Sequence, residues 1–348
     1  MVIVKQSVGI DVSQKELVVC LGKMDSEFNP ELYAFKVFKN TEHGRISLLK
    51  WVKAHTLAEI NLRFVMEATG VYHESLAYFL DEKGYDLSVV LPNKISNYIR
   101  SLNLNTKTDK SDSKAIAMFG LERKLDDWHQ PKKIFREIKQ LTRERDQVVH
   151  ERTQVKNKTH AEKAEAKPNI KSLERLNERL ILLNRQEKDI KQEIEDLIKE
   201  DHKLHETINK ICTIPGIGLL TVSIVLAESN GFELIKNKRQ LVSYAGFDIR
   251  ERQSGTSIKG KARISKRGNK FIRKAMYFPG WTAIEHDEHF KTIFSRHISK
   301  HGIKMKAGMV IQRKLLEMIY TIYKTGAPYD KDYHKQYEGE MKEEIVNI

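Results

Sequence analysis

Cysteine is almost missing from this chain: there are two in 348 residues. Cys20 and Cys212 lie far apart in apolar surroundings. That excludes a disulfide framework or a thiolate zinc site and fits reduced core residues of a cytosolic protein. Long apolar runs are missing too. No stretch reaches the roughly eighteen residues that a membrane-spanning helix needs. The N-terminus, MVIVKQSVGIDV, passes into strand-like sequence without the features of a cleavable signal. The expected location is the cytoplasm, in association with the nucleoid. Acid is in deficit, with 47 Asp and Glu against 61 Lys and Arg, a net charge of +14 and a pI near 9.4. Such an excess points to a polyanionic partner, nucleic acid above all.

What is present is enough for folded domains. Hydrophobic residues make up 40% and charged residues 31%, and the length suits two domains with an added helical element. The front of the chain reads as three strands (5–12, 15–22 and 31–38), a helix (42–55), a strand (60–66), a helix (72–83) and a strand (87–91) closed by Pro92. Three strands followed by helix, strand, helix and strand imply a mixed sheet with helices on its faces. Within it, Val8-Gly-Ile-Asp-Val-Ser13 places one carboxylate, Asp11, in an apolar strand. Burying an ionised carboxylate costs several kcal/mol unless it is paired or bound to a metal. Three later acids are candidates to share its site. Glu67 ends another apolar strand, and Asp109 and Asp112 share one face of a helix that Thr108 can cap. Acids in a first turn also suit the helix dipole, so capping alone is the competing explanation for that pair. The four together suit magnesium, because hard divalent cations take carboxylate oxygens and can activate phosphate chemistry.

Beyond Trp128–Pro131 the pattern becomes helical. Ile134, Ile138, Leu141, Val148 and Val155 keep a spacing of three to four, interrupted by Arg145 and Arg152. After Pro168, the residues Leu173, Leu176, Leu180, Leu183, Ile190, Ile194 and Leu197 run close to four heptads, interrupted by Glu187. This predicts either an antiparallel helical hairpin or a dimeric coiled coil. Residues 211–228 read as helix, turn and helix around Ile214-Pro-Gly-Ile-Gly218. That is a helix-hairpin-helix-like turn whose amides could meet a phosphate, or a tight packing turn. A short helix follows over 238–246.

The segment from Arg252 to Lys274 holds nine cations and no acid: Arg252, Lys259, Lys261, Arg263, Lys266, Arg267, Lys270, Arg273 and Lys274. Counterion release makes such a cluster a strong nucleic-acid binder. Ser254, Ser257 and Ser265 all lie among the cations. A hydroxyl attacking phosphorus needs positive charge around it, but the residues by themselves do not choose among the three. Residues 281–325 read as helical, with Met305, Met309, Ile311, Leu315, Leu316, Ile319 and Tyr320 as core. The polar tail is expected to fray. The resulting divisions are 1–128, 129–205, 206–328 and a flexible 329–348.

These motifs, taken in order, carry a resemblance. GIDVS, MEATGVYHE, NTKTDKSDSKAIA, IPGIG, QLVSYAGF, RQSGTSIKG and ISKRGN with RKAMY together resemble the DEDD-type transposases of the insertion-sequence one-ten family, relatives of the pilin-gene invertases. The resemblance implies an α/β RNase H-like (RuvC-like) front domain whose Asp11, Glu67, Asp109 and Asp112 hold Mg2+. Behind it would stand a long helical coiled-coil hairpin and a mostly α-helical C-terminal domain. By position in the SG-x-S loop it implies that Ser254 is the nucleophile, linked covalently to DNA during strand exchange. It further implies a noncoding bridge RNA that pairs with donor and target DNA. The protein would work as a homo-oligomer, a dimer or a tetramer on DNA, with active sites shared between subunits. Base pairing by the RNA would then supply sequence specificity while the protein reads shape and backbone charge. Two other readings stay open. A structure-specific nuclease of the resolvase kind would use the same acids with water and leave no protein–DNA adduct. A non-enzymatic scaffold would tolerate neutralisation of the acids.

Overall fold

A computed structural model of the chain describes residues 2–68, 70–102, 108–233, 235–251, 253–254, 258–260 and 263–332, with backbone alone at 253–254 and 258–259. The chain divides into two units, Met1–Gln130 and a second beginning at Pro131.

In the first unit, β1 (Ile3–Val12), β2 (Glu16–Asp25) and β3 (Pro30–Lys39) form an antiparallel meander. Helix α1 (Glu42–His55) follows, capped by the Thr41 hydroxyl, which accepts from the Gly44 amide. Then come β4 (Leu62–Glu67), α2 (Glu74–Glu82), β5 (Leu87–Val90), α3 (Pro92–Ser101) and α4 (Asp109–Glu122). The sheet order is β3-β2-β1-β4-β5, with β4 parallel to both β1 and β5. This mixed sheet with helices on both faces fits the expected RNase H-like α/β domain. One helix was not foreseen. Pro92 does not only close β5; it opens α3, where a missing amide proton costs nothing.

Strand alternation divides the side chains of β1. Val8, Ile10 and Val12 enter a core with Leu48 and Val52 of α1 and Leu76 and Leu80 of α2. The odd-numbered residues face the other way, onto α4. There Val65, Val90, Ile95, Tyr98, Ala115, Ile116 and Phe119 form a second, smaller core.

The second unit contains a helical hairpin of α5 (Lys133–Ala164) and α6 (Ile170–Glu200), each roughly 45 Å long. Its helices α7 (His202–Ile211), α8 (Leu219–Glu228) and α9 (Lys238–Ala245) precede short paired strands: β6 (Ile249–Arg250) with β9 (Arg263–Ile264), and β7 (Gln253–Ser254) with β8 (Ile258–Lys259). Helices α10 (Lys270–Ala275), α11 (Tyr277–His286), α12 (Glu288–His301) and α13 (Lys304–Thr325) complete it. The hairpin shares one apolar core with these later helices, running from Phe135 and Ile138 through Ile208 and Val225 to Leu315 and Ile319.

Both interruptions of the helical heptads have one explanation. The buried Glu187 of α6 is met across the hairpin by Arg145, at 2.7 Å, and by Arg152, with Lys191 of its own helix at 3.1 Å. Burial alone would raise its carboxyl; Lys191 and Arg145 more than offset this and hold it below the ordinary glutamate value. Two expectations are corrected. Met305 is exposed, on the solvent side of the first turn of α13, and does not join the core. Tyr329, assigned to the flexible tail, is anchored: its amide donates to Thr213 Oγ1, its hydroxyl donates to Asp287 Oδ2 at 2.9 Å, and its ring stacks on Phe290.

Candidate active site

The four acids singled out from the sequence converge, and the pairing of β1 with α4 explains how. Every second residue of β1 meets this helix. Lys5 Nζ donates to the carbonyls of Leu121 and Arg123 at the C-terminal end of α4, where a cation is favoured. Ser7 lies under Gly120, where an added Cβ would fall 2.2 Å from Ser7 Oγ. Gly9 lies under the helix middle, where a Cβ would fall 2.2 Å from the Ala117 nitrogen and 2.4 Å from the Ser113 oxygen. Gly9 therefore lets the strand touch the helix backbone, and Gly120 makes room for the Ser7 and Val65 side chains. The geometry then runs on: four strand residues from Ser7 to Asp11 cover about 13 Å, and eight helix residues from Gly120 back to Asp112 cover about 12 Å. The first turn of α4 arrives over Asp11.

That turn is well fixed. Thr108 Oγ1 accepts from the Ser111 amide at 3.1 Å while Ser111 Oγ accepts from the Thr108 amide at 2.8 Å, a reciprocal cap that orients Asp109 and Asp112. Glu67 comes from the neighbouring strand. β1 and β4 run parallel with Ile10 opposite Met66, so the next pair along is Asp11 and Glu67, on the α4 face.

The electrostatic result is a carboxylate whose charged neighbours, among the described residues that shift it, are other carboxylates. Burial first, and then the charges of Asp109, Asp112 and Glu67, together raise the Asp11 carboxyl from 3.8 to about 6. Among the described residues no three acidic, histidine or cysteine side chains already close around one point. Four mutually repelling carboxylates have reason to stay apart until a cation draws them in. The donor set itself, oxygen-only and carrying excess negative charge, suits a hard divalent cation.

The serine-bearing segment lies on a β-ribbon in the second unit. At its base Ile249 pairs with Ile264 and Arg250 with Arg263; further out Gln253 pairs with Lys259 and Ser254 with Ile258. Of the other serines, Ser257 lies outside the described residues. Ser265 is committed at the ribbon base, where its hydroxyl donates to Asp248 Oδ1 at 2.5 Å.

The cations divide by role. Arg252 and Lys261 lie outside the described residues, and Lys259 is described by backbone only. Arg263, Lys266, Arg267 and Lys270 are exposed. Arg273 is used internally: its guanidinium donates to the Ala245 carbonyl at 2.7 Å and closes the left-handed turn at Gly246. Lys274 is ion-paired with Asp146. The Pro-Gly-Ile-Gly turn packs as well, since a Cβ on Gly216 would fall 2.8 Å from the Pro279 carbonyl of α11.

Sequence reasoning missed the anchor beneath this region. Glu228 is 3% exposed and accepts from Arg143 Nε at 2.8 Å, from Arg143 Nη2 at 3.1 Å and from Asn269 Nδ2 at 2.7 Å. Asn269 also caps α10, accepting from the Phe271 and Ile272 amides. One buried carboxylate thus ties α5 and α8 to the segment that follows the ribbon. A lone Glu closing an apolar helix, VLAE, was the available signal.

Comparison with known proteins gives concordant matches. Residues 8–162 match a family described as transposase, of the DEDD type of IS110, and residues 208–295 match the transposase IS116/IS110/IS902 family. The chain is 29% identical over 345 residues to the pilin gene-inverting protein of Moraxella lacunata, covering 95% of this chain and 99% of that protein. It is 28% identical over 342 residues to the protein of the same name from Moraxella bovis, with the same coverage. A solved structure of T. thermophilus RuvC with a Holliday junction substrate matches 33% of this chain and 90% of its own, at 13% identity and a TM-score of 0.24.

Proposed function

Because the chain belongs to the IS110 family of transposases, we propose that it cuts and rejoins the DNA strands of an insertion sequence by joining two sites, an acidic one that binds magnesium and a serine nucleophile on the basic ribbon. The observation that carries this reading is the convergence of Asp11, Glu67, Asp109 and Asp112 from two strands and a helix, with Asp11 held near pKa 6. Evolution does not gather four repelling carboxylates for stability; a cation supplies the missing term.

The four carboxylates would hold Mg2+, which when bound supplies positive charge to the non-bridging phosphate oxygens. Ser254 is the nucleophile. Its oxygen forms a bond to phosphorus as a strand P–O bond breaks; the serine loses a proton and the departing strand oxygen gains one. Attack by a hydroxyl of the other strand on the phosphoserine reverses these changes and restores a phosphodiester. Arg263, Lys266, Arg267 and Lys270 hold the flanking backbone. A noncoding bridge RNA supplies sequence choice, and subunits of an oligomer contribute the acidic site and the serine to one phosphate. Support for an RNA partner is the net charge of +14; support for oligomers is the exposed apolar surface of α6 at Ile170, Ile181 and Leu182.

The test uses purified protein, a bridge RNA candidate from the DNA beside the gene, and labelled donor and target DNA. Trapping with denaturant is expected to leave DNA covalently bound to the wild type and not to Ser254→Ala, whose RNA binding stays intact. An adduct surviving in that variant removes Ser254 from the role. Cleavage without any adduct, dependent on Asp11, would instead favour hydrolysis by water.

A further inference from the structure

At the base of the ribbon, the second unit has a crevice of about 330 Å³ lined by Phe247, Ile264, Lys266, Tyr277, Phe278 and Gln312, among others. Its volume sits at the low end of the ~300–1,000 Å³ typical of small-ligand clefts, suited to one nucleotide rather than a duplex. Three features set it apart from a chance surface dip. Phe278 is 76% exposed and lies edge to face with Tyr277, ring centroids 5.3 Å apart, so a large aromatic surface stands in water. Gln312 is only 2% exposed as a residue, and it lines the crevice. It is seated there by Gly280, where a Cβ would come within 2.7 Å of Gln312 Cγ. Lys266 holds a left-handed backbone at φ 51°, a strained state for a side chain of its kind, with its amide bonded to the Gly246 carbonyl.

We propose that this crevice receives a single unpaired nucleobase, stacked on Phe278 and Tyr277, with the Gln312 amide hydrogen-bonding the base edge and Lys266 meeting the adjoining phosphate. Aromatic surface, an amide with donor and acceptor, and a cation together are what an extruded or single-stranded base needs. Exposed Arg267 and Lys270 on the same basic segment match a nucleic-acid occupant better than a protein one. The inference rests on the proposed handling of nucleic acid but uses neither Ser254 nor the carboxylates.

The experiment measures binding of the full chain, carrying Ser254→Ala so that chemistry is silent, to single-stranded DNA containing one 2-aminopurine or one abasic site. The expected result is a change in 2-aminopurine fluorescence on binding and about a tenfold loss of affinity at the abasic site, the size of one stacked base. Phe278→Ala, which removes only an exposed ring, erases both effects, and Phe278→Trp restores them. Gln312→Leu keeps the stacking signal but weakens binding severalfold. Equal affinity of Phe278→Ala and its parent for both oligonucleotides overturns the proposal. So does a loss of self-association in Phe278→Ala without any change in DNA binding, which would make the crevice a protein contact. Adduct formation in the chain with Ser254 intact is scored separately, so this site and the catalytic reading fail independently.

Discussion

Two acids in this protein, one half-buried and one buried, meet opposite fates. Asp11, in the first unit, has three carboxylates for neighbours and is pushed up to about 6. Glu187, in the second, has Arg145, Arg152 and Lys191 around it and is held below its ordinary value. Asp11 sits in an apolar strand and Glu187 on the apolar seam of a helix; their charged neighbours differ in sign. A buried carboxylate that has its own guanidinium is part of the scaffold. One surrounded by further carboxylates stores unfavourable energy that a ligand can relieve. Glu228, with its two-pronged Arg143 contact, belongs with Glu187.

The sharpest break of this contrast is Asp11→Asn. It is expected to reduce DNA cleavage by three orders of magnitude or more, on the order of 4 kcal/mol of lost transition-state stabilisation, measured as strand nicking with excess magnesium. Full activity in EDTA would equally remove the acidic site from the chemistry. Next comes Glu228→Ala, which removes the buried carboxylate that Arg143 and Asn269 share. A loss of about 3 kcal/mol in chemical denaturation is expected, near the lower edge of values for broken buried pairs because Arg143 is partly exposed. An unchanged midpoint would show that the anchor carries no load.

Gly9→Ala should cost about 1–3 kcal/mol, as overpacked sites do, because α4 must lift from β1. Cleavage should fall further than stability does, since lifting α4 carries Asp109 and Asp112 away from Asp11. Circular dichroism melting beside the nicking assay separates the two effects. The smallest effects are those of pH. Asp11, whose pKa is raised on folding, stabilises the metal-free fold fully below pH ~4, and that contribution is lost as pH rises through about 6. Asp11→Asn should therefore stabilise the metal-free protein at pH 7.5 by roughly 1–2 kcal/mol while abolishing activity. Added Mg2+ should raise the melting temperature of the wild type more than that of the variant. Glu187 has the opposite sign: its contribution is present above pH ~4.5 and is lost as pH falls below it. A melting curve for Glu187→Gln that keeps the acid-side slope of the wild type would contradict this.

Much of the local structure was legible because it is decided by neighbours in the chain. Thr108 announces a cap and Gly246 a left-handed stop by their own chemistry, and each does what its type favours. Strand alternation around Asp11 and heptad spacing in α6 were equally plain. The α3 helix was missed because a proline after a strand reads as an end as readily as a beginning. Tyr329 was taken as tail because its anchors, Thr213 and Asp287, lie far back in sequence. Glu187 looked like a fault in a seam until Arg145 and Arg152 came across the hairpin.

By itself, then, the order of residues determined the elements, their caps, the surplus of positive charge and the family motifs, since all of these depend on composition or on spacing of a few residues. Only the tertiary structure decided which acids share a space and which are neutralised. That outcome depends on register: Gly9 permits backbone contact between β1 and α4, Gly120 leaves room for the Ser7 side chain, and about 12 Å of helix is laid against about 13 Å of strand. Electrostatics falls off over a few ångströms, whereas Asp11 and Asp112 are separated by most of the first unit's chain, so their repulsion exists only once that packing is made.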